Sequence, residues 1–338
     1  MPPGLYFRHE SSLDHDTGGG HPENRARIPA IENELESRGW LGWERRTAPE
    51  AELEQLTRVH PLEHVEHIRS VAERGGGWFD ADTLAGPGSY AAALHAAGGA
   101  CALVDVLMAR EAPAAFCGLR PPGHHCETAR PMGFCLFNNV AVAAQHALDA
   151  YAVERVAVFD WDVHHGNGTN DIFHASREVL YASIHQSPLY PGSGPLSDVG
   201  HGDGEGFTVN LPVPPGAGED VWLALVEHVV APVVRAFEPG VILVSAGFDA
   251  HRDDPLAECR LETASFAKMA DWVRALAREL GVPFGALLEG GYDLEALAAS
   301  VAATLAAFGD GTEPEHHEPD GVTARAVAAI GRWWPLEG

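Results

Sequence analysis

Short apolar runs that alternate with helical patterns constrain the fold of this chain more than any other feature. Five runs have the length of a strand and lie between turn residues, at residues 114–118, 156–161, 179–184, 241–246 and 284–289. Several are apolar on both faces, as buried parallel strands are. Helical patterns occur between and after them, near residues 91–109, 139–150, 220–237, 262–280 and 293–308. This alternation predicts an α/β fold in which helices cover both faces of a central parallel sheet.

The domain organisation follows from the length of the chain and from its one linker-like segment. The 338 residues contain no repeat of fixed period. Residues 309–321 are acidic and rich in Pro and His, and an Ala-rich helix ending in Trp333-Trp334 follows them. So short a segment does not separate two domains, and we expect one domain over residues 1–338. Its run Glu315-His316-His317-Glu318 is expected to be a solvated turn rather than a metal site.

The charge of the chain bears on its partners. The sequence has 48 Asp and Glu against 22 Lys and Arg, a net charge of −26. Such a surface repels nucleic acid and attracts cations, which favours a cationic substrate, although the same charge also keeps an ordinary cytosolic protein soluble. We expect no nucleic-acid partner.

Cysteine usage and apolar stretches bear on the compartment. The five cysteines form no C-x-x-C pair, so neither a disulfide framework nor a structural zinc site is indicated. Residues 91–109 are apolar but contain His95 and Asp105 and fall short of a membrane span. The N-terminus lacks the pattern of a signal peptide. We therefore expect a cytoplasmic protein that is not bound to a membrane.

Four of the predicted strands end in clusters of polar residues, at residues 120–125, 160–169, 245–251 and 289–293. In doubly wound sheets, ligands bind beyond the carboxyl ends of the strands, so the four clusters point to one shared site. Nucleotide-binding patterns are absent, because neither G-x-G-x-x-G nor a P-loop occurs, and G-x-S-x-G is absent too.

Three residues of these clusters have the chemistry of a metal site. Asp162 and His164 lie two residues apart, which in an extended chain places both on one face. With Asp249 they combine a borderline nitrogen with hard oxygens and leave one position open, which is typical of catalytic rather than structural zinc. A lone D-x-H is more often a polar strand end, but here the second carboxylate and the flanking motifs favour a metal.

Two further features suit the hydrolysis of an amide. His124 and His125 follow a rigid Pro-Pro-Gly turn that aims both rings, and histidine serves both as base for water and as acid for a leaving amine. Tyr292 follows two glycines that let the backbone bend, so that its phenol could donate to a developing oxyanion. A tyrosine after Gly-Gly is more often structural, so Tyr292 supports a catalytic site only together with the other residues.

Together these residues resemble the histone deacetylase-like amidohydrolases. Five long motifs carry the resemblance in family order over residues 120–294: Arg120-Pro-Pro-Gly-His-His125, Gly133-Phe-Cys-Leu-Phe-Asn-Asn139, Asp160-Trp-Asp-Val-His-His-Gly-Asn-Gly-Thr169, Ser245-Ala-Gly-Phe-Asp249 and Glu289-Gly-Gly-Tyr-Asp-Leu294. His21-Pro22-Glu23 and Pro87-Gly88-Ser89 resemble the looser N-terminal pattern of the family. The resemblance implies the arginase/deacetylase fold, with a central parallel sheet of about eight strands.

The resemblance also implies the catalytic roles. Asp162, His164 and Asp249 match the zinc ligands. His125 matches the general base and acid, His124 its electrostatic helper, and Asp160 the carboxylate that orients His124. Asn167 stands where many eukaryotic members carry Asp; a neutral partner should make His125 less basic.

Residues of the substrate tunnel and of monovalent cation sites are implied in the same way. Gly133, Phe134 and Tyr190 match the tunnel walls, Leu256 matches the rim, and Asp82 matches, more loosely, a residue that grips the substrate backbone. Sodium or potassium ions beside the zinc are implied at two sites. The first matches Asp160, Asp162, His164, Ser183 and Ile184, and the second matches Phe173, Ser176, Val179 and Phe207.

The favoured interpretation is a zinc-dependent enzyme that removes acetyl or other acyl groups from lysine side chains of a peptide or small molecule. The alternative is an acetylpolyamine amidohydrolase. It is less favoured because a carboxylate at the rim would select polyamines, and Leu256 stands there instead. A non-catalytic acyl-lysine-binding protein would need a lost ligand or a lost tyrosine. An arginase-like site with two manganese ions would need carboxylates where Gly166 and Gly247 stand. A homo-oligomer is compatible with the sequence.

Overall fold

The computed structural model describes residues 2–336, and its centre is a sheet of eight parallel strands. The strand order is β2-β1-β5-β10-β9-β6-β7-β8. The strands are β1 (Leu5–Arg8), β2 (Glu44–Thr47), β5 (Ala114–Cys117), β6 (Val156–Asp160), β7 (Val179–Gln186), β8 (Thr208–Val213), β9 (Val241–Ala246) and β10 (Phe284–Leu288). A small antiparallel pair, β3 (Gly77–Trp78) and β4 (Leu84–Ala85), lies outside this sheet.

Helices cover both faces of the sheet, as the alternation predicted. They are α1 (Arg27–Ser37), α2 (Leu53–Thr57), α3 (Leu62–Glu73), α4 (Ser89–Met108), α5 (Asn139–Tyr151), α6 (Asn167–Phe173), α7 (Glu219–Leu225), α8 (Ala231–Phe237), α9 (Thr263–Leu280), α10 (Leu294–Asp310) and α11 (Gly321–Ile330). Alternate strand residues enter two separate cores: Ala157 and Phe159 of β6 pack with α1, α9 and α10, whereas Val156 and Val158 pack with α4 and α5. The site therefore stands on a sheet that is buried on both sides.

All five predicted strands are present, and three further strands of the central sheet, β1, β2 and β8, were not predicted. β2 reads Glu-Arg-Arg-Thr and is largely exposed at one edge of the sheet, so it has no apolar run. β8 forms the other edge and contains Pro212, which an edge strand tolerates because its outer N–H groups need no partner. β1 has only four residues.

The predicted helix over residues 220–237 is in fact interrupted. α7 ends at Leu225, a π-helical turn spans Val226–Val230, and α8 follows. Pro232, in the first turn of α8, has no N–H to continue the regular hydrogen-bonding ladder.

α4 corrects the expectation for residues 91–109. Within residues 2–336 it is the helix long and apolar enough, by length and composition, to cross a membrane, which the sequence interpretation denied. Of its most apolar window, 67% is buried inside the fold. Its alanines and leucines pack against β5 and α5 as part of one core.

Candidate active site

The carboxyl ends of four neighbouring strands, β5, β10, β9 and β6, bring the predicted polar clusters together. Asp162 and His164 follow β6, Asp249 follows β9, and Tyr292 follows β10. His124 and His125 follow β5. The single shared site that the strand ends predicted is thus formed by the centre of the sheet.

Asp162, His164 and Asp249 form a buried group whose ligand atoms lie within 4.8 Å of one another. His164 Nδ1 is 3.2 Å from Asp162 Oδ1 and 3.0 Å from Asp249 Oδ2. Backbone N–H groups hold the other two oxygens: Gly290 donates to Asp162 Oδ2 at 2.8 Å and Val163 to Asp249 Oδ1 at 2.9 Å. The two carboxylates are therefore fixed in orientation around one imidazole.

The electrostatics of this group fit a cation. Burial alone would lower the pKa of His164, but Asp249 and Asp162 raise it to about 10. Burial and the charge of Asp162 raise the pKa of Asp249. Two buried carboxylates thus require a positive charge between them, and an Asp/His/Asp set with an open position suits a divalent metal ion.

Glycines exclude the second bridging carboxylates of a two-metal site. A Cβ atom at Gly247 would collide with the carboxylate of Asp162, and one at Gly166 would collide with that of Asp160. Side chains at these two positions have no room, so the arginase-like alternative lacks both its residues and the space for them.

His124 belongs to a hydrogen-bonded row with Asp160 and Tyr181. Its Nδ1 donates to Asp160 Oδ2 at 3.1 Å, and the Tyr181 hydroxyl donates to the same oxygen at 2.9 Å. Burial opposes a charge on His124, but Asp162 and Asp160 raise its pKa to about 10. The predicted orienting role of Asp160 thus has the geometry it requires.

His125 is the uncharged member of the histidine pair. Its Nδ1 donates to Asn167 Oδ1 at 2.8 Å, while the Asn167 amide group donates to Glu127 Oε1 at 2.9 Å. Burial, followed by the nearby His124 and His164, holds the pKa of His125 well below its usual value. The pKa of His125 is thus low because of burial and the neighbouring cations, whereas the hydrogen bond to Asn167 raises it. Nε2 of His125 is left as a base.

Tyr292 is held by Arg27 and by a strained turn. Gly291 has φ +120°, a conformation that side chains rarely adopt, so the turn requires glycine. Arg27 Nε donates to the Gly291 carbonyl at 2.8 Å, and the guanidinium lies 5.2 Å from the centre of the Tyr292 ring. Burial and the charge of Asp249 keep the pKa of the Tyr292 phenol well above its usual value, so it remains a proton donor.

A cavity of about 220 Å³ leads to these residues. His125, His164 and Tyr292 lie along it, and its other walls are Gly133, Phe134, Tyr190, Leu256, Asp82, Pro22 and Leu189. All five predicted substrate-binding residues therefore line it, whereas Pro22 and Leu189 were not predicted. Gly133 has no room for a side chain, since a Cβ would collide with the His125 ring.

Comparison with known proteins identifies the family. The sequence pattern of the family described as "Histone deacetylase domain" matches residues 21–308. The chain belongs to the histone deacetylase family.

The relatives of this family member carry related names. A "Histone deacetylase-like amidohydrolase" of Pseudomonas aeruginosa is 44% identical over 249 residues, which are 73% of this chain and 66% of the relative. A "Probable deacetylase" of Methanothermobacter thermautotrophicus is 42% identical over 319 residues, 93% and 94% of the two chains. "Histone deacetylase 14, chloroplastic" of Arabidopsis thaliana is 40% identical over 323 residues, 90% and 76% of the two.

A solved structure agrees with these relatives. The crystal structure of the HDA15 HD domain superposes with a TM-score of 0.92 at 34% identity, covering 98% of this chain and 95% of that one. The expected arginase/deacetylase fold is therefore confirmed, and this histone deacetylase family member is a hydrolase of the deacetylase and amidohydrolase type.

The two predicted monovalent cation sites of this family member lie along β6 and β7. Asp160 and Ser183 are register partners on these strands, with Asp162, His164 and Ile184 beside them. The second set surrounds the start of β7: Val179 begins the strand, Phe173 ends α6, and Ser176 lies between. The Phe207 carbonyl accepts from Tyr181 N at 2.9 Å. Both sets are contiguous, and both cation assignments stay predictions.

Several residues that support the site were not predicted. Glu23 is fully buried, and Arg120 donates to it at 2.6 Å and Arg27 at 3.2 Å. Glu289 Oε2 accepts from the backbone of Gly123 at 2.6 Å and of His124 at 3.1 Å. These carboxylates fix the turns that carry the histidine pair and Tyr292. Glu23, Arg120 and Glu289 stand inside the motifs that resemble the family, and this position was the only sign in the sequence that they support the site.

Another buried cluster, His60, His64 and Cys126, also has ligand atoms within 4.8 Å of one another. Both ring nitrogens of His60 are already used, because Nδ1 donates to the Thr128 carbonyl at 3.0 Å and Nε2 accepts from Asn138 N at 2.9 Å. Burial lowers the pKa of His60 to about 3 and raises that of the Cys126 thiol. This cluster therefore consists of neutral, hydrogen-bonded core residues.

Proposed function

We propose that this chain is a zinc-dependent deacylase that hydrolyses the amide between an acyl group and the side-chain amine of lysine. The observation that carries the proposal is that one cavity is lined by His164, the uncharged His125 and the protonated Tyr292. His164 belongs to the Asp162/His164/Asp249 group. Asp162, His164 and Asp249 would hold the zinc ion. When bound, zinc polarises the amide carbonyl and makes water more acidic.

The residues of the chain supply the proton transfers. His125 donates from Nδ1 to Asn167, so its Nε2 is free to take a proton from the attacking water and then to give it to the leaving amine. The Tyr292 phenol donates to the oxygen that becomes negative during attack. Because this charge develops in the transition state, the phenol lowers the barrier more than it tightens binding of the substrate.

The cavity supports a long, slender acyl-amine substrate. Phe134 and Tyr190 are aromatic walls, and the Tyr190 ring lies edge-on to His125 with centroids 5.2 Å apart. A methylene chain fits between apolar walls, and Asp82 at the cavity offers an acceptor to the substrate backbone. We further propose sodium or potassium ions at the two predicted sites; the ion at the first site would offset the charge of Asp160.

The test compares substrates and metal content in purified protein. Chelation should abolish turnover, and zinc should restore it. In the same assay, kcat/KM is measured for acetyl-lysine peptides and for acetylated spermidine and putrescine. Higher kcat/KM for the polyamines would replace the lysine assignment with an acetylpolyamine amidohydrolase. Full activity in protein that is free of transition metal would overturn the zinc assignment.

A further inference from the structure

A third group of ligating side chains lies on the surface and has no part in the proposed function. Glu227 and His228 belong to the π-helical turn Val226–Val230, and His316 belongs to the loop 311–320 between α10 and α11. Each offers one ligand atom, and the three atoms lie within 4.8 Å of one another. We call these three residues the surface His/Glu cluster.

The cluster is assembled by the docking of the loop onto the π-helical turn. Glu227 Oε1 accepts from His316 Nδ1 at 2.6 Å, and Glu227 Oε2 accepts from His317 N at 2.7 Å. His228 Nε2 donates to the His317 carbonyl at 2.8 Å. The run is solvated, as the sequence predicted, since the side chains of His316 and Glu318 are 64% and 90% exposed. It is also docked, because side chains 89 residues apart are held together. The segments that carry the three residues are therefore held together before any ion binds, and each imidazole keeps one ring nitrogen that these hydrogen bonds do not use.

The surroundings of the cluster favour a cation. Glu318 places a second carboxylate 3.5 Å from His316 Nε2. Nε2 of His317 is buried and has no hydrogen-bond partner within the part of the chain that the structure describes. His317, the neighbour of His316, thus keeps one buried polar atom unsatisfied at this junction.

The chemistry of the donors indicates the class of ion. Two imidazoles with a carboxylate suit zinc, nickel or copper, whereas magnesium and calcium prefer oxygen ligands alone. The His316 side chain is exposed, so an ion here is open to solvent, unlike one held by the buried Asp162/His164/Asp249 group.

We propose that Glu227, His228 and His316 bind a divalent transition-metal ion such as Zn²⁺, and that this ion fastens the loop 311–320 to the π-helical turn. The ion bridges an element in the middle of the chain to the segment that leads into α11. The proposal does not depend on the deacylase assignment.

The chain offers a matched control for this site. His146 Nε2 donates to Asp105 Oδ1 at 2.6 Å, a distance equal to that between His316 and Glu227. The third partner there is the Tyr151 hydroxyl, at 2.9 Å from the same oxygen, rather than a second imidazole. His146 therefore has the histidine–carboxylate pair but no second imidazole, whereas His316 has both the carboxylate of Glu227 and the imidazole of His228.

The experiment titrates Zn²⁺ into protein that already carries one equivalent of zinc, with calorimetric detection. We expect a second equivalent to bind the wild type and the His146→Ala variant, and His316→Ala or His228→Ala to weaken it by about tenfold or more. Hydrolysis of an acetyl-lysine peptide should be the same in all four proteins. Absence of the second equivalent in the wild type, or undiminished binding in His316→Ala, would overturn the site.

Fastening of the loop is measured separately. Within the loop, a glutamate-specific protease can cut the bond between Glu315 and His316, because Glu313 and Glu318 are each followed by a proline. Excess Zn²⁺ should slow this cleavage in the wild type and in His146→Ala but not in His228→Ala, which leaves the cleaved bond unchanged. If the wild type binds the second zinc ion and is still cleaved at the same rate, the ion does not fasten the loop.

Discussion

The carboxylate of Asp254 holds the backbone of Tyr292: Asp254 Oδ2 accepts a hydrogen bond from Tyr292 N at 2.7 Å. The other oxygen, Oδ1, accepts from Leu256 N at 2.9 Å. One buried side chain thus joins the residue assigned to the oxyanion and the residue at the cavity mouth. Burial and the charge of Asp249 raise the pKa of Asp254 to about 7.

Asp254→Asn should lower kcat by roughly ten- to a hundredfold while KM changes less. The side-chain amide of asparagine accepts hydrogen bonds through its oxygen only, so the backbone N–H of either Tyr292 or Leu256 loses its partner. Tyr292 or the cavity mouth then shifts, and small misplacements of a catalytic group lower the rate strongly. Asp253→Asn is the control, because Asp253 is the exposed neighbour. Steady-state kinetics, normalised to bound zinc, check the prediction; a wild-type kcat in Asp254→Asn would refute it.

Tyr292→Phe should remove most turnover and leave metal content and fold intact. The phenol is assigned only to the developing oxyanion, and losing one such donor costs on the order of 10²–10³ in rate. The ring contacts with Phe134 and Arg27 persist in phenylalanine. Near-native kcat on an acetyl-lysine peptide would show that Tyr292 does not have this role.

The Asp162/His164 part of the candidate metal site and the histidine pair could be predicted because each is local in the sequence. Asp162 and His164 lie two residues apart on one strand end, and His124 and His125 follow one rigid turn. Asp249 was reached through a second strand end, since parallel strands finish at the same edge of a sheet. The supporting carboxylates could not be placed in this way. Glu23 meets Arg120 across 97 residues, a contact that no local pattern encodes.

The parts of the fold that escaped prediction are those with little apolar signal. β2 is charged because it is an exposed edge, and Pro212 interrupts the pattern of β8 at the other edge. The π-helical turn Val226–Val230 has the sequence of an ordinary helix, and only Pro232 after it indicates an interruption. The docking of the loop 311–320 could not be predicted, because its partner Glu227 lies far away in the sequence.

Asn167→Asp should shift the acidic limb of the kcat/KM pH profile to higher pH, by roughly one pH unit or more. His125 is neutral because burial and nearby cations hold its pKa well below the usual value. A carboxylate 2.8 Å from Nδ1 would favour the protonated form, so His125 would lose its free base at a higher pH than in the wild type. Asn167→Ala adds no charge and should not shift this limb upward. An unchanged limb in Asn167→Asp would mean that His125 does not set it.

The choice of amine provides the last prediction, and it depends on Leu256. This residue lines the cavity and presents an aliphatic side chain where a carboxylate could grip the distal ammonium of a polyamine. The net charge of −26 attracts every cation, but a diffuse field speeds encounter and selects poorly among cations, so a local contact should decide.

We therefore expect the wild type to prefer acyl-lysine, and Leu256→Glu to shift preference towards acetylated polyamines. A hydrogen bond between charged groups contributes about 1.5–3 kcal/mol, which corresponds to roughly a ten- to hundredfold change in relative kcat/KM. Leu256→Gln introduces a side chain of nearly the same shape as glutamate but without its charge, and should leave the preference unchanged. If Leu256→Glu and Leu256→Gln shift it equally, the shape of the mouth, and not a charge at the rim, selects the amine.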